Sequence, residues 1–396
     1  MVILLLLCIN NLVLFFKEFM FKIFYRFLLE RPNNYYYGKE SIIDIPNDEN
    51  LVVIMRKFLE SYKLINKSII ISLSGGVDSM VVLATLLKLK NELSLDIHIV
   101  MINYNLRFDS YYESCFIRGY CNYHKIPIMI KHIPKLLKDR RKLGSSKRKE
   151  YEENSKNIRF TAYKSLIEEF KCEGVLVGHH QDDILENIFT NIMKGHELLD
   201  LEVMKFSGFN NSVRIFRPFL NNKKSEIIEF ANKYNIPYFK DTTPKWSRRG
   251  KLRNEVFPLF DNVFGEGWRK KLKEVGDQSN NWSKIAYDYI VEPWIEKLDL
   301  SNLIPVRNDY NFLFMFPVMY TKDVNIWKYT IPKFFFKIGL NTISKKQIEK
   351  LYDFTKSKKS DGLLIINENI SALLTKDNNN NKFVIILRKK DYSIQQ

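Results

Sequence analysis

Ser68-Ile69-Ile70-Ile71-Ser72-Leu73 runs directly into Ser74-Gly75-Gly76-Val77-Asp78-Ser79 and then into Met80-Val81-Val82-Leu83-Ala84-Thr85-Leu86-Leu87-Lys88. The first six residues predict a buried strand, because an apolar β-branched run of this length suits a sheet covered on both faces. Ser-Gly-Gly then predicts a tight turn in which the missing Cβ lets backbone N–H groups approach a ligand closely. Met80 to Lys88 predicts a buried helix. Strand, glycine turn and helix N-terminus together form an anion site, with unpaired N–H groups and the positive end of the helix dipole facing the ligand. No Lys follows the glycines, so this is not the Gly-x4-Gly-Lys-Ser/Thr loop. A plain surface turn rich in Ser and Gly would not be framed by a buried strand and a buried helix.

Outward from this stretch, Leu95 to Ile102 predicts a second strand, followed by Asn103-Tyr104-Asn105-Leu106-Arg107 and a helix from about Ser110 to Tyr123. Pro127 to His132 predicts a third strand, Asn154 to Cys172 a helix carrying Arg159, and Gly174 to Gly178 a short fourth strand. Val52 to Tyr62 reads as a helix upstream. Strands alternating with helices at this spacing argue for an α/β fold with a doubly wound parallel sheet. Ligands in such sheets lie beyond the carboxyl ends of the strands, where the glycine turn and the segment after Gly178 both fall.

That segment is His179-His180-Gln181-Asp182-Asp183-Ile184-Leu185-Glu186-Asn187. Two His, two Asp and one Glu within eight residues at a strand end are more than a structural His pair. Asp182 and Glu186 are i,i+4 on the following helix and share a face. Carboxylates so placed suit Mg²⁺ held against phosphates, a hard cation that would not select the imidazoles. For Asp182 alone, a plain helix N-cap is the competing reading.

The chain has 396 residues, with 62 Lys and Arg against 45 Asp and Glu, a net charge of +17. This excess favours an acidic partner, of which nucleic acid is the commonest, although Lys, Asn and Ile are abundant throughout. Arg248, Arg249, Lys251 and Arg253 surround Gly250 and follow Trp246, a mixture that suits an RNA backbone with a base stacked on a ring. An ordinary basic loop reads equally well there, as does a lid formed by Asp241 to Pro258 over the anion site. Lys138 to Lys142 and Lys147-Arg148-Lys149 are further basic runs in a polar stretch, read equally as a solvated loop and as a mobile loop that meets phosphates. The four cysteines (Cys8, Cys115, Cys121, Cys172) make no Cys-x-x-Cys pair, so neither a zinc ribbon nor an iron–sulfur site is indicated. Reduced, buried thiols fit a cytoplasmic protein.

Three regions are expected: 1–40, 41–260 and 261–396. Residues 1–29 are strongly apolar, but Asn10-Asn11 and Lys17-Glu18 make the run short for a membrane span, and no signal-peptide pattern is present. A membrane-associated amphipathic helix, an organelle-targeting leader and an extension upstream of the true start all remain open for it. Past Phe260, a helical stretch from Trp268 to Leu298 precedes an aromatic-rich core segment over 311–336. Ser344 to Lys356 reads as a helix. Gly362 to Ile366, Ile370 to Leu374 and Phe383 to Leu387 read as a small antiparallel sheet. This α+β region is expected to be a smaller C-terminal domain.

The glycine turn resembles the SGGxDS signature of ATP pyrophosphatases, the PP-loop superfamily. Ser74–Ser79, Asn103 to Arg107, Arg159, Gly178-His179-His180-x-Asp182-Asp183 and Arg217-Pro218-Phe219-Leu220 occur in the order seen in tRNA(Ile)-lysidine synthases. The helix Lys224 to Tyr234, Asn235-Ile236-Pro237, Asp241-Thr242 and Arg253 to Pro258 resemble the later part of that family. The chain departs from it over Thr243 to Leu252, where Pro244-Lys245-Trp246-Ser247-Arg248-Arg249-Gly250-Lys251 replaces an Asn-rich run. The resemblance implies that ATP adenylates the C2 carbonyl oxygen of a wobble cytidine in tRNA, and that lysine then displaces AMP. It implies that Ser74, Gly75, Gly76, Val77, Asp78 and Ser79 bind ATP and that Asp78 holds Mg²⁺ with Asp182 or Asp183. Asp78, His180, Asp183 and Arg159 would be the catalytic set, with the C-terminal region recognising the tRNA body. A 2-thiolation protein is the alternative, against which the missing Cys-x-x-Cys pairs count. A non-catalytic RNA-binding descendant would not need the intact turn and carboxylates.

Overall fold

Ile69, Ile70 and Ile71 are fully buried at the centre of the first unit, as a β-branched run covered on both faces requires. The computed structural model describes residues 35–36, 44–105, 110–133, 145–201, 204–239, 247–293, 305–307, 310–317, 323–337, 343–356, 362–376 and 382–389. In chain order the first unit contains β1 (Tyr35–Tyr36), α1 (Asn50–Ser61), β2 (Ser68–Ser72), α2 (Val77–Leu89), β3 (Asp96–Asn103) and α3 (Ser110–Tyr123). There follow β4 (Ile128–His132), α4 (Ser145–Phe170), β5 (Val175–Leu176), α5 (Gln181–Met193), β6 (Ser207–Asn210) and β7 (Val213–Phe216). It closes with α6 (Lys224–Lys233), β8 (Tyr238–Phe239), α7 (Arg248–Lys251), a π-helical turn over Leu252–Val256, and α8 (Phe257–Phe264).

The sheet order is β4-β3-β2-β5-β7-β6. Every neighbouring pair is parallel except β6 and β7. The fold is therefore α/β and doubly wound, as the alternation of strands and helices predicts. The order reverses direction at β2, so the crevice at the carboxyl ends of β2 and β5 is a switch point, and both chemistry-bearing turns leave the sheet there. α2 is buried on nearly every side, which explains its lack of a polar face.

Several elements of this unit differ from the sequence expectations, among them the short β1–β8 pair. The β6–β7 hairpin is an addition, built on Asn211 and Ser212 with φ of 47° and 62°, the left-handed pair that a two-residue hairpin turn requires. α4 begins at Ser145, so Lys147-Arg148-Lys149 lies in its first turns rather than in a loop. α2 begins at Val77, so Asp78 and Ser79 belong to a helix rather than to the turn. Lys138 to Lys142 lies outside the described residues.

The chain divides into two compact units, Met1–Phe189 with Val203–Leu272, and Thr190–Glu202 with Lys273–Gln396; it passes between them three times, within α5, after Glu202 and within α9 (Gly267–Ala286). The second unit contains a π-helical turn Tyr287–Val291, β9 (Pro305–Arg307), β10 (Tyr310–Pro317), α10 (Val324–Lys337), α11 (Lys345–Lys356), β11 (Leu363–Ile365), β12 (Ile370–Lys376) and β13 (Lys382–Lys389). Its antiparallel sheet runs β11-β12-β13-β10-β9, two strands larger than the sequence suggested. Trp327, Phe335, Leu351, Ala372, Val384 and Ile386 are fully buried in its core. No helix of the described residues is long and apolar enough to cross a membrane, and residues 1–29 lie outside them.

Candidate active site

The turn after β2 is held by its own serines. Ser79 Oγ donates to the Gly76 carbonyl at 3.0 Å, and lies 3.1 Å from Ser74 Oγ. The Ser74 and Gly76 N–H groups donate to Ser79 Oγ and Ser74 Oγ at 3.2 and 3.3 Å. Gly75 has φ +80°, and a Cβ there would stand 2.6 Å from the Phe239 ring, so the position admits only glycine. Val77 is buried beneath the turn.

Asp78 follows, in the first turn of α2. Its two carboxylate oxygens accept hydrogen bonds from the Lys224 ammonium at 2.5 and 2.6 Å. Lys224 opens α6 and arrives from 146 residues away. His180 Nε2 is 3.6 Å from Asp78 Oδ1 and 3.5 Å from Asp183 Oδ2, so one buried imidazole stands between the two carboxylates. A Cβ on Gly178 would lie 2.7 Å from the Asp78 carbonyl carbon, which presses the strand end carrying the His pair against the glycine turn.

Asp183 and Glu186 are buried in α5, and their counter-charges are Arg249 and Arg253. Arg253 donates through Nη2 to Asp183 Oδ1 at 3.0 Å and through Nε to Glu186 Oε1. Arg249 lies 3.5 Å from Asp183 and its Nε 3.2 Å from Glu186 Oε2, the latter without hydrogen-bond alignment. Burial raises the Asp183 carboxyl, but His180, His179 and Arg249 outweigh it and leave it below the ordinary value. At Glu186 burial wins, and the carboxyl is held above its ordinary value despite Arg253.

His179 is fixed differently. Its Nδ1 accepts a hydrogen bond from Arg217 Nε at 3.1 Å, and Arg217 Nη1 donates onward to the Lys205 carbonyl at 2.8 Å. An Arg donor is never deprotonated, so the neutral ring carries its proton on Nε2. Burial takes the imidazole down to about 4; Arg217, Arg249 and His180 add to that, while Asp183 opposes it.

A cleft of about 230 Å³ opens beside these groups, lined by His180, Asp182, Leu185, Glu186, Lys224, Arg253, Phe257, Pro258 and Arg269. Asp182 and Glu186 share the face that their spacing predicts, and α5 already starts at Gln181, so Asp182 is not its N-cap. Arg269 is held by both oxygens of Asp261, which also accepts from Trp268 Nε1 at 2.8 Å. The wall is thus amphoteric, with carboxylates and cations facing a common space.

The sequence-predicted residues do not all converge. Asp78, His180 and Asp183 meet, and Asp182 lines the adjoining cleft. Arg159 lies on α4 beside Tyr163, whose hydroxyl donates to Ser72 Oγ at 2.8 Å at the end of β2. Of the basic cluster, Arg249 and Arg253 point at Asp183 and Glu186, while Arg248 and Lys251 are exposed. The segment around Gly250 thus turns two of its arginines onto these carboxylates. Among the described residues no group of three His, Cys, Asp or Glu side chains is placed to cage a metal. The donor set nonetheless fits Mg²⁺ shared with phosphate, which takes only one or two carboxylates, and an ammonium already sits on both oxygens of Asp78. Sequence reasoning missed Lys224, Arg217 and Arg269. Two of them carried a signal: Arg217 opens the Arg-Pro-Phe-Leu motif of the resemblance, and Lys224 is a cation at the first position of a helix, where the dipole disfavours it.

The profile of the PP-loop domain matches residues 49–260. The chain belongs to the PP-loop family. It is an ATP-dependent enzyme of that family. It is similar to the tRNA(Ile)-lysidine synthase of Chlamydia muridarum, 26% identical over 293 residues, covering 72% of this chain and 84% of the relative. It is also similar to the tRNA(Ile)-lysidine synthase of Staphylococcus epidermidis, 30% identical over 195 residues, 49% of this chain and 44% of the relative. Among solved structures it matches the U34-tRNA thiolase NcsA of Methanococcus maripaludis with its [4Fe-4S] cluster, at TM-score 0.43 and 18% identity, over 61% of this chain and 82% of that one.

Proposed function

We propose that this chain is an ATP-dependent tRNA-modifying ligase that adenylates the C2 carbonyl oxygen of a wobble cytidine and joins lysine to that carbon, releasing diphosphate and then AMP. The carrying observation is the amphoteric cleft of Asp182, Glu186, Lys224, Arg253 and Arg269 beside Asp78. It offers opposite charges to a free amino acid next to a turn built for phosphate. The printed names of the relatives support the same reading.

In this reading Ser74 to Ser79 cradle the triphosphate with backbone N–H groups and the α2 dipole. Asp78 and Asp183 would hold Mg²⁺, with Asp182 at the edge, and an ion held there would supply positive charge for the departing diphosphate. A carbonyl oxygen is a poor leaving group until it carries AMP, so the cations around the α-phosphate act where charge develops. Arg159 and His180 are our candidates there. The attacking amine must be deprotonated, and Glu186 is the candidate base: its carboxyl is held above the ordinary value, and Oε2 has no hydrogen-bond partner in the cleft wall. Arg248 and Lys251 are the exposed pair proposed to meet the RNA backbone, and the C-terminal unit the proposed contact with the tRNA body. The thiolation alternative gains no support from Cys121 and Cys172, whose thiols burial pushes up to about 12.

The test is one incubation of the protein with α-labelled ATP, a tRNA pool and labelled lysine. AMP release and lysine incorporation into RNA, each dependent on tRNA, are expected together. AMP release without incorporation would reject lysine as acceptor, and neither signal would reject the reaction.

A further inference from the structure

Lys224 is the least explained cation of the site. It stands at the positive end of α6, next to Lys223, where the helix dipole repels it. Its ammonium nevertheless bonds both oxygens of Asp78, at 2.5 and 2.6 Å, and the two side chains are only 27% and 24% exposed. Asp78 is the carboxylate nearest the glycine turn and the one best placed to share a cation with a bound triphosphate. A divalent ion and the ammonium cannot both take the same two oxygens. Lys224 also lines the cleft, so its four-carbon stem has other oxygen acceptors within the same space.

We propose that Lys224 is a resident counter-ion that a divalent cation must displace from Asp78, and that nucleotide phosphate is what draws the ammonium away. Metal binding then waits for nucleotide. In the free protein Asp78 is neutralised by Lys224 and has little affinity for a free ion. When phosphate arrives, the ammonium moves to a phosphate oxygen, the carboxylate is uncovered, and metal and nucleotide bind as a coupled pair. Coupling of this kind is reciprocal, so the metal strengthens nucleotide binding by the same factor. The inference rests on Asp78 being a metal ligand, as proposed above, and the experiment separates the two.

The test follows free Mn²⁺ by electron paramagnetic resonance in solutions of the full chain, with and without an α,β-methylene analogue of ATP. For the wild type, Mn²⁺ alone binds weakly and the analogue raises its affinity about tenfold or more, within the usual range of coupling between sites. Lys224→Met, with Lys224→Gln as a second variant, raises the affinity for Mn²⁺ alone about tenfold and removes most of the dependence on the analogue. Lys224→Arg keeps a cation there and keeps the dependence. Circular dichroism melting verifies that each variant is folded. Neutral variants that bind Mn²⁺ alone no better than wild type overturn the inference, provided Asp78→Asn abolishes analogue-dependent Mn²⁺ binding. If Asp78→Asn leaves that binding intact, Asp78 is not the ligand, and the assignment beneath the inference falls first.

Discussion

The two ends of the central strands carry the same residue types and use them in opposite ways. At the amino end, Asp96 accepts from Ser68 Oγ at 2.8 Å and sits 2.8 Å from His98 Nε2, and the His98 ring stacks on Phe170 with centroids 4.0 Å apart. This Ser–Asp–His set comes from two paired strands, with Asp96 open to solvent and His98 Nδ1 buried without a hydrogen bond. At the carboxyl end, Asp78 and Asp183 flank His180, but their counter-charges come from afar, Lys224 from 146 residues away and Arg253 from 70. Glu186 Oε2 and His180 Nδ1 are buried there without a hydrogen bond. A set made by two paired strands is held by the sheet itself. Charges borrowed from distant segments are those that a ligand rearranges.

The largest expected contrast is in turnover. Asp78→Ala should lower tRNA-dependent AMP release by about 10²–10³-fold, the scale of losing a charged group at the reacting phosphates, with RNA affinity nearly unchanged. Asp96→Ala at the other end should leave turnover per folded molecule within about twofold. Equal losses would erase the distinction drawn here, and labelled-ATP assays at matched folded concentration decide it.

Stability distinguishes the ends less sharply. Arg253→Ala leaves Asp183 and Glu186 with Arg249 alone, and chemical denaturation should show a loss of about 2 kcal/mol, below the usual cost of breaking a fully buried pair because Arg253 is 32% exposed. A loss below about 0.5 kcal/mol would mean that these contacts are no stronger than surface pairs.

Acidity sharpens the same comparison. The His179 pKa is lowered in the fold from 6.5 to about 4, so as pH falls through that window the unfolded chain takes up a proton that the fold refuses. The His179 contribution to stability should therefore be lost between pH 6.5 and pH 4 and level off below. The depressed Asp183 carboxyl contributes its loss only as pH falls further, through its own lowered value. His179→Gln should flatten the upper part of the curve, as followed by urea denaturation at successive pH values. A curve unchanged by that substitution would remove His179 as the cause.

The smallest effect lies in RNA binding. Arg248→Ala with Lys251→Ala should reduce the slope of log affinity against log salt by about 2, roughly 1 per phosphate contact, and weaken all tRNAs alike. An unchanged slope would leave these exposed cations outside the RNA interface.

Much of this was legible in the chain. Ile69 to Ile71 and the alternation around them gave the parallel sheet, because a strand covered on both faces has to be apolar at every position. Ser74 to Ser79 and the Asp182–Glu186 spacing placed the glycine turn and one wall of the cleft, since both signals are local. The partners of the carboxylates were not legible. Lys224, Arg249 and Arg253 read as helix and loop cations, and only the return of α6, α7 and the π-helical turn after it to the sheet edge brings them to Asp78, Asp183 and Glu186. The β6–β7 hairpin was missed because Asn211-Ser212 is a weak turn signal beside Asn-Gly, although both residues adopt the required positive φ.

The central claim is that the oxygen activated by ATP is the C2 carbonyl oxygen of a cytidine. The direct measurement uses tRNA transcribed with cytidine carrying ¹⁸O at that position, together with lysine and unlabelled ATP, and weighs the released AMP by mass spectrometry. Adenylation followed by displacement at C2 leaves the cytidine oxygen on the phosphate, so AMP heavier by one ¹⁸O is the predicted product. AMP of natural mass, formed while the RNA is modified, would contradict the account.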